Sequence, residues 1–491
     1  MILVRFLLAA ICLAGALAGA QLKNWSRRHN LTLLEFESGR GELEWITSST
    51  FRFQRCPTAS CPSRPSTEES VEFSVRRDKT GIEWRTVYLE VRLDAGSGAI
   101  SVHTREGKPL LLEAAAKSLF AREVLEAERL YGLGPHTRAA VDLRGSKISS
   151  TRPLLISSAG FGQYFPAPAD YEFDLAHSDP KQIQVSAPFA RHLEYFFYYG
   201  PAPKEILEEH RNVAGVVGPV DARLLDVRTP ETLPSFAVPL TTLAQIPHAG
   251  FSGMPLPAYP LRIAAESAIG PFLPLLYRED EELLPASVVV TRRRFSPFLH
   301  TYLQEARDRG LPVLRALPMQ YSRDPEAARH GTQMMAGDEL LLPTSDSLYL
   351  PMGLWTDLCS GERFSGRRVI AVEIKQHCPV FARNGSIVPV DAGTHMELHY
   401  FPRLGAEFFL AESGSLYSQF HAAPAGDYLR LEIESKAARE YEWAVHHVSA
   451  PVEISPRRAH RYEHEKGELR IRMQVPARST SILNISLKEP L

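Results

Sequence analysis

The chain has 491 residues, with 55 Lys and Arg against 57 Asp and Glu and a formal net charge of −2. No basic stripe accompanies that near-neutral balance, which excludes nucleic acid as an expected partner. The length exceeds what one hydrophobic core serves and predicts roughly two to four domains.

At the N-terminus, Arg5 is the lone positive charge before an apolar run from Phe6 to Leu17. Ala18-Gly19-Ala20 then offers a small-x-small cleavage site before Gln21. This is the layout of a secretory signal peptide over residues 1–20, and the apolar run is too short to span a bilayer. The reading predicts a secreted or periplasmic protein with no membrane association after cleavage. Cys12 would leave with the signal, so four cysteines remain: Cys56, Cys61, Cys359 and Cys378. An even count in an oxidising compartment predicts disulfides Cys56–Cys61 and Cys359–Cys378, the second joining two strand-like segments. Neither pair has Cys-x-x-Cys spacing, so no metal site is predicted.

From Gln21 to about Thr229 the pattern is strand-like. Val71 to Val75 and Thr86 to Val91 alternate apolar and polar residues, and Asp94-Ala95-Gly96-Ser97-Gly98 is a turn between strands. Many short strands at close spacing predict a β-sandwich. A helix is expected from Lys204 to Val213, entered through Pro201 and Pro203. A second runs from about Phe298 to Arg309 and stops at Gly310. The acidic run Glu279 to Glu282 lacks the spaced ligands of a calcium loop and reads as a solvated turn. From Pro318 to Leu491 strands and turns are expected. The fold class is mainly β.

Several segments carry a resemblance to one family. In order they are Tyr131-Gly132-Leu133-Gly134, then Pro153 to Gly162, then Glu194 to Pro201 followed by Lys204-Glu205. Farther on come Phe298 to Ala306, Gly310 to Arg315, Gln333 to Leu341, Tyr349 to Asp357 and Pro379 to Pro389. The chain resembles glycoside hydrolase family 31 from about Tyr131 to Val390. The resemblance implies an N-terminal β-sandwich (21–229), a remnant of a (β/α)8 barrel (230–318), and proximal (319–393) and distal (394–491) C-terminal β domains. It implies carbohydrate as the ligand class and no cofactor.

The family's chemistry is retaining α-glycoside hydrolysis, which needs a nucleophilic carboxylate and a carboxylic acid/base on barrel strand ends. The family motifs that hold them, Asp-Met-Asn-Glu and Trp-x-Gly-Asp, do not occur in this chain. Only roughly 90 residues separate Thr229 from Pro318, where an eightfold barrel takes about 250. Ala249 to Pro255 resembles a late barrel strand, yet the family's substrate-binding Asp aligns with Pro260 and its sugar-binding His falls near Leu276. No catalytic residue is therefore assigned. One sugar-facing position is carried over by place in the sandwich loop: Asp142 is the candidate substrate-binding residue, against its reading as a turn Asp bonded to its own backbone.

Two other motifs are set aside. His460-Arg461-Tyr462-Glu463-His464 matches a His-x-x-Glu-His string, but Pro456 and Gly467 bracket it and the following run alternates like a strand, which predicts a hairpin. Ser252 lies in Gly-x-Ser-Gly, not in the nucleophile-elbow spacing. Asn24, Asn30, Asn384 and Asn484 each begin a glycosylation sequon. The expectation is a non-catalytic family 31-like protein that can bind carbohydrate. Its rivals are an α-glycosidase using other carboxylates, and a decayed or mis-assembled gene product.

Overall fold

The computed structural model describes residues 21–57, 61–62, 69–116, 119–133, 142–150, 153–166, 170–187, 190, 192–214, 286–331, 333–343, 345–372, 380–412 and 416–491. Contacts divide the chain into two compact units, residues 1–133 with 143–206 and residues 134–142 with 207–491. Mostly β structure is observed, in several separate sheets.

In the first unit, an eight-stranded sheet joins the N-terminal meander (Leu22–Arg28, Leu31–Phe36, Arg40–Trp45, Thr50–Cys56) to Leu193–Tyr199, Phe161–Tyr164, Leu154–Ser157 and Leu130–Gly132. A four-stranded and a five-stranded sheet complete the unit, and one apolar core draws on all three. Alternation places Phe51 and Phe53 against Tyr195 and Phe197 across the Thr50–Cys56/Leu193–Tyr199 pair. Phe51 and Phe161 both stack on Phe197, at 5.1 and 5.3 Å between ring centres. Some of the buried charged groups are closely paired. Arg122 and Glu128 are bidentate at 2.8 and 3.0 Å with no exposed side-chain surface, which avoids the cost of an unpaired buried ion.

Two predicted strands of this unit shift along the chain. Val71 to Val75 becomes Ser74–Arg77, and Thr86 to Val91 becomes Leu89–Asp94. The second shift has a local cause. Thr86 Oγ1 accepts the backbone N–H groups of Tyr88 and Leu89, so Thr86 makes a turn that alternation alone conceals. The Asp94 turn is found as expected, with Asp94 Oδ1 accepting from the N–H groups of Gly96 and Ser97.

A helix, Pro203–Ala214, follows the last strand of that unit. In the second unit, helices Ala286–Arg294 and Ser296–Arg309 precede the sheets. The latter ends at Gly310 with φ 74° and its N–H on the Ala306 carbonyl at 3.0 Å. Leu314–Ala316, expected within the barrel remnant, pairs antiparallel with Met334–Ala336. It forms the edge of a six-stranded sheet with Leu340–Leu342, Phe381–Arg383, Leu354–Asp357 and Arg363–Ser365. The boundary expected at 318 therefore falls within one hydrogen-bonded sheet. Short helices at Leu317–Gln320 and Pro325–Arg329 interrupt the strands expected beyond Pro318. The signal for the second was present: Asp324 caps it by accepting from the Glu326 N–H, and Pro325 occupies its first turn.

Two five-stranded sheets form the C-terminal region. One orders Ser386–Asp391, Met396–Phe401, Arg439–Val445, Glu468–Val475 and His460–Glu463. The Met396–Phe401 and Arg439–Val445 strands run parallel, and the other neighbours antiparallel. The other sheet orders Ala406–Ala411, Tyr417–Ala425, Tyr428–Ser435, Ser479–Leu487 and Pro451–Ser455.

Candidate functional site

Period-two alternation divides the first of these C-terminal sheets into two faces. Leu398, Tyr400, Tyr441, Trp443, Leu469, Ile471 and Val475 are buried on one face. The opposite face carries Glu397 and His399, then Glu442 with His446 just past its strand, then Glu468, Arg470 and Arg472. Register sets Glu397 beside Glu442, and Glu442 beside Arg472. Ala444 pairs with both His399 and Arg470, and its methyl group leaves room for those two side chains to converge.

Arg470 is the hub. It donates to Glu468 at 2.5 Å, to Glu442 at 2.7 Å and to Glu397 at 2.9 Å. Arg472 donates to the second oxygen of Glu442 at 3.0 Å and to His395 Nε2 at 3.1 Å. Hydrogen bonds from His399 and the Arg470 guanidinium, acting against desolvation, hold the Glu397 carboxyl down at about 2. The bond to His446, again with Arg470, holds Glu468 at about 2. A cleft of about 610 Å³ opens over this face, its rim including His460, Arg461, Glu463 and Lys466.

This chemistry suits recognition better than catalysis. Carboxyls held near 2 stay ionised and cannot serve as general acids near neutral pH. His395, Glu397 and Glu442 bring ligand-type atoms within 4.8 Å of one another. Those atoms are engaged by Arg470, Arg472 and His399 in an ion-pair network.

A second ionic cluster lies inside the same unit. Arg315, fully buried, pairs with Glu305 and Asp338. Beside it Glu339 accepts from the Tyr302 hydroxyl at 2.5 Å and from the Asp338 N–H at 3.0 Å. Desolvation, with Asp338 adding to it, pushes the Glu339 carboxyl up to about 7. Its titration range is that of a catalytic acid, but Glu339 is only 7% exposed and packs between helix and sheet. It is a structural group.

Asp142 is half-buried at the start of a described stretch, next to the buried Leu143 whose N–H bonds the Leu130 carbonyl. Cys56 and Cys61 form a disulfide with Cα atoms 5.5 Å apart. Cys359 is also disulfide-bonded, while its expected partner Cys378 lies outside the described residues. Cys359 sits in a turn and not in a strand, because Asp357 accepts from its N–H and from the Ser360 hydroxyl. His460–Glu463 is a strand paired with Glu468–Val475, the hairpin expected from its flanking residues. Ser252, Pro260, Leu276 and Glu279 to Glu282 lie outside the described residues. Of the sequons, Asn24 is exposed, whereas Asn30 and Asn384 are buried. Sequence reading missed the Glu397–Arg470 face. Its signal was the alternation in Glu397-Leu398-His399 and Glu468-Leu469-Arg470-Ile471-Arg472, which puts all the charge on one side.

Residues 310–388 match the glycosyl hydrolase family 31 C-terminal domain. Over these residues the chain is similar to members of glycoside hydrolase family 31. The chain is also similar to an α-glucosidase of Saccharolobus solfataricus, 30% identical over 126 residues, which are 24% of this chain and 17% of that protein. The human neutral α-glucosidase AB is 37% identical over 103 residues, 19% of this chain and 11% of the relative. The chain thus matches less than a fifth of the length of these relatives. Among solved structures, a family 31 dextranase from Flavobacterium johnsoniae complexed with glucose aligns with a TM-score of 0.76 at 12% identity, covering 95% of this chain and 99% of that one. The cycloalternan-forming enzyme of Listeria monocytogenes, in complex with a pentasaccharide substrate, aligns at 0.78 and 11% identity, covering 96% and 77%. At these identities the likeness is one of fold.

Proposed function

We propose that this family 31-like chain acts in carbohydrate metabolism as an exported, non-catalytic protein that binds an oligosaccharide. The single observation that carries the reading is internal to the chain. Between the helix ending at Ala214 and the helix beginning at Ala286 there are about 70 residues, against about 250 in a full (β/α)8 barrel. Both catalytic carboxylate motifs are missing with that length. The segment matching the family's C-terminal domain is nevertheless kept, with its buried Arg315 paired to Glu305 and Asp338. The apolar run from Phe6, its small-residue cleavage site and the Cys56–Cys61 disulfide support export.

Binding is tested by calorimetric titration of the secreted protein with gluco- and xylo-oligosaccharides. Saturable binding is expected, and Asp142→Ala should weaken it about tenfold if a single carboxylate contact to a sugar hydroxyl is lost. Unchanged binding in that variant removes Asp142 from the site. No heat with any oligosaccharide overturns the carbohydrate reading.

A further inference from the structure

A chain of four side chains crosses the polar face of the C-terminal sheet. Glu397 Oε2 lies 3.0 Å from His399 Nε2, His399 Nδ1 lies 2.9 Å from His446 Nε2, and His446 Nδ1 lies 3.2 Å from Glu468 Oε2. The two imidazole planes are within 14° of each other with centres 5.2 Å apart, so the facing nitrogens meet edge to edge near the plane of their lone pairs. Phe401 covers the flat side of His446 at 4.5 Å and 5°, which holds the ring in that plane.

Counting protons along the chain has one consistent answer. An ionised carboxylate only accepts, so His399 carries hydrogen on Nε2 and His446 on Nδ1. Two neutral rings in those tautomers would bring two bare lone pairs to 2.9 Å. Two fully protonated rings would bring two N–H groups to the same distance. A single additional proton between the rings satisfies every group.

The surrounding charges agree. Arg470 contacts Glu397, Glu442 and Glu468, and Arg472 contacts Glu442. Arg472 also donates to His395 Nε2, and His395 Nδ1 lies 3.0 Å from Thr394 Oγ1. The three carboxylates and the two guanidiniums hydrogen-bonded to them sum to one negative charge, a setting that favours a proton between the rings. Arg294 stands farther off, 3.7 Å from Glu397, and the neighbouring His447 turns to Thr356 Oγ1 at 3.2 Å. Burial and Arg363 hold His447 down at about 4, so it adds no charge near neutral pH.

We propose that Glu397, His399, His446 and Glu468 form a one-proton site that makes the C-terminal sheet pH-sensitive, with the His399–His446 bond intact near neutral pH and broken when a second proton arrives. Two adjacent imidazoliums would repel and could no longer hydrogen-bond each other, so acid should loosen the contact that ties the end of the Arg439–Val445 strand to the Met396–Phe401 strand. Desolvation and the neighbouring His399 both disfavour charge on His446, which separates the two protonation steps.

The test is nitrogen-detected NMR of the full chain labelled in its histidine rings, followed through a pH titration. The expected result is one bridging proton seen from both His399 Nδ1 and His446 Nε2 at neutral pH, and two protonation steps separated by about two pH units or more. A parallel measurement follows Tm against pH. The wild-type protein should lose stability through the acid step, and His399→Gln should flatten that loss, because no second imidazolium can form. Independent titration of both rings at the same pH would overturn the proposal. So would both facing nitrogens bare at neutral pH, or stoichiometric zinc perturbing both rings at neutral pH, which would mark the four residues as a metal site.

Discussion

Glu339 shows how one residue can carry part of a protein's pH response. Its carboxyl is buried, bonded to Tyr302, and raised from the ordinary value of 4.5 to about 7, first by desolvation and then by the Asp338 charge, while Arg315 opposes the shift. A group raised on folding binds its proton more tightly in the folded state. Its contribution is therefore fully present below 4.5 and disappears as pH climbs through 7. The size is at most on the order of 3 kcal/mol. Glu339→Gln keeps the acceptor oxygen for Tyr302 and Asp338 and removes the titration. Scanning calorimetry of the wild type should show Tm falling between about pH 5 and pH 8, and the variant should fall less over that range. Equal slopes would mean that Glu339 is ionised in the fold and that Arg315 outweighs burial.

Among the elements, the Ser296–Arg309 helix shows which features a sequence exposes. Its stop was readable because Gly310 takes a backbone conformation that other residues adopt only at a cost. Here φ is 74°, and a Cβ at that position would meet the Arg211 Cβ at 2.9 Å and the Leu207 carbonyl at 3.3 Å. Gly310→Ala should accordingly destabilise by about 1–2 kcal/mol from left-handed strain, with crowding in addition. Chemical denaturation would read this as a lower midpoint at unchanged slope. An unaffected midpoint would show that the chain relaxes around the new methyl group. The helix start, in contrast, moved from Phe298 to Ser296, since Pro297 within the first turn is as compatible with helix as with loop. Strand existence was legible from alternation, but the strand beginning at Leu89 was misplaced because Thr86 spends its hydroxyl on a turn. The charged sheet face was legible only as alternation. That Glu397, Glu442 and Arg470 meet depends on a parallel pairing between strands some forty residues apart, which no local pattern specifies. Asp142 came from resemblance alone.

For the whole molecule, the sharpest expectation is that it does not hydrolyse α-glycosides. Retaining hydrolysis requires two carboxyl groups about 5 Å apart, one ionised and nucleophilic, one protonated and facing the leaving oxygen. Among the described residues, the clustered carboxylates meet neither demand. Glu397 and Glu468 are held near 2 and stay ionised, with Arg470 and the two histidines occupying them. Glu442 gives one oxygen to Arg470 and the other to Arg472. Glu339 can hold a proton near neutral pH, but it is buried against Tyr302 and no substrate oxygen can reach it. Asp221, Asp226 and Glu231 lie outside the described residues. Loss of a nucleophile or its proton donor commonly lowers kcat by several orders of magnitude, because the covalent route has no substitute. Purified protein incubated with aryl α-glucosides, α-xylosides and α-galactosides should therefore release aglycone at the background rate. Turnover well above background that disappears on changing one specific Asp or Glu to Ala would mean that a working acid–nucleophile pair exists in this chain, and the non-catalytic reading would fall with it.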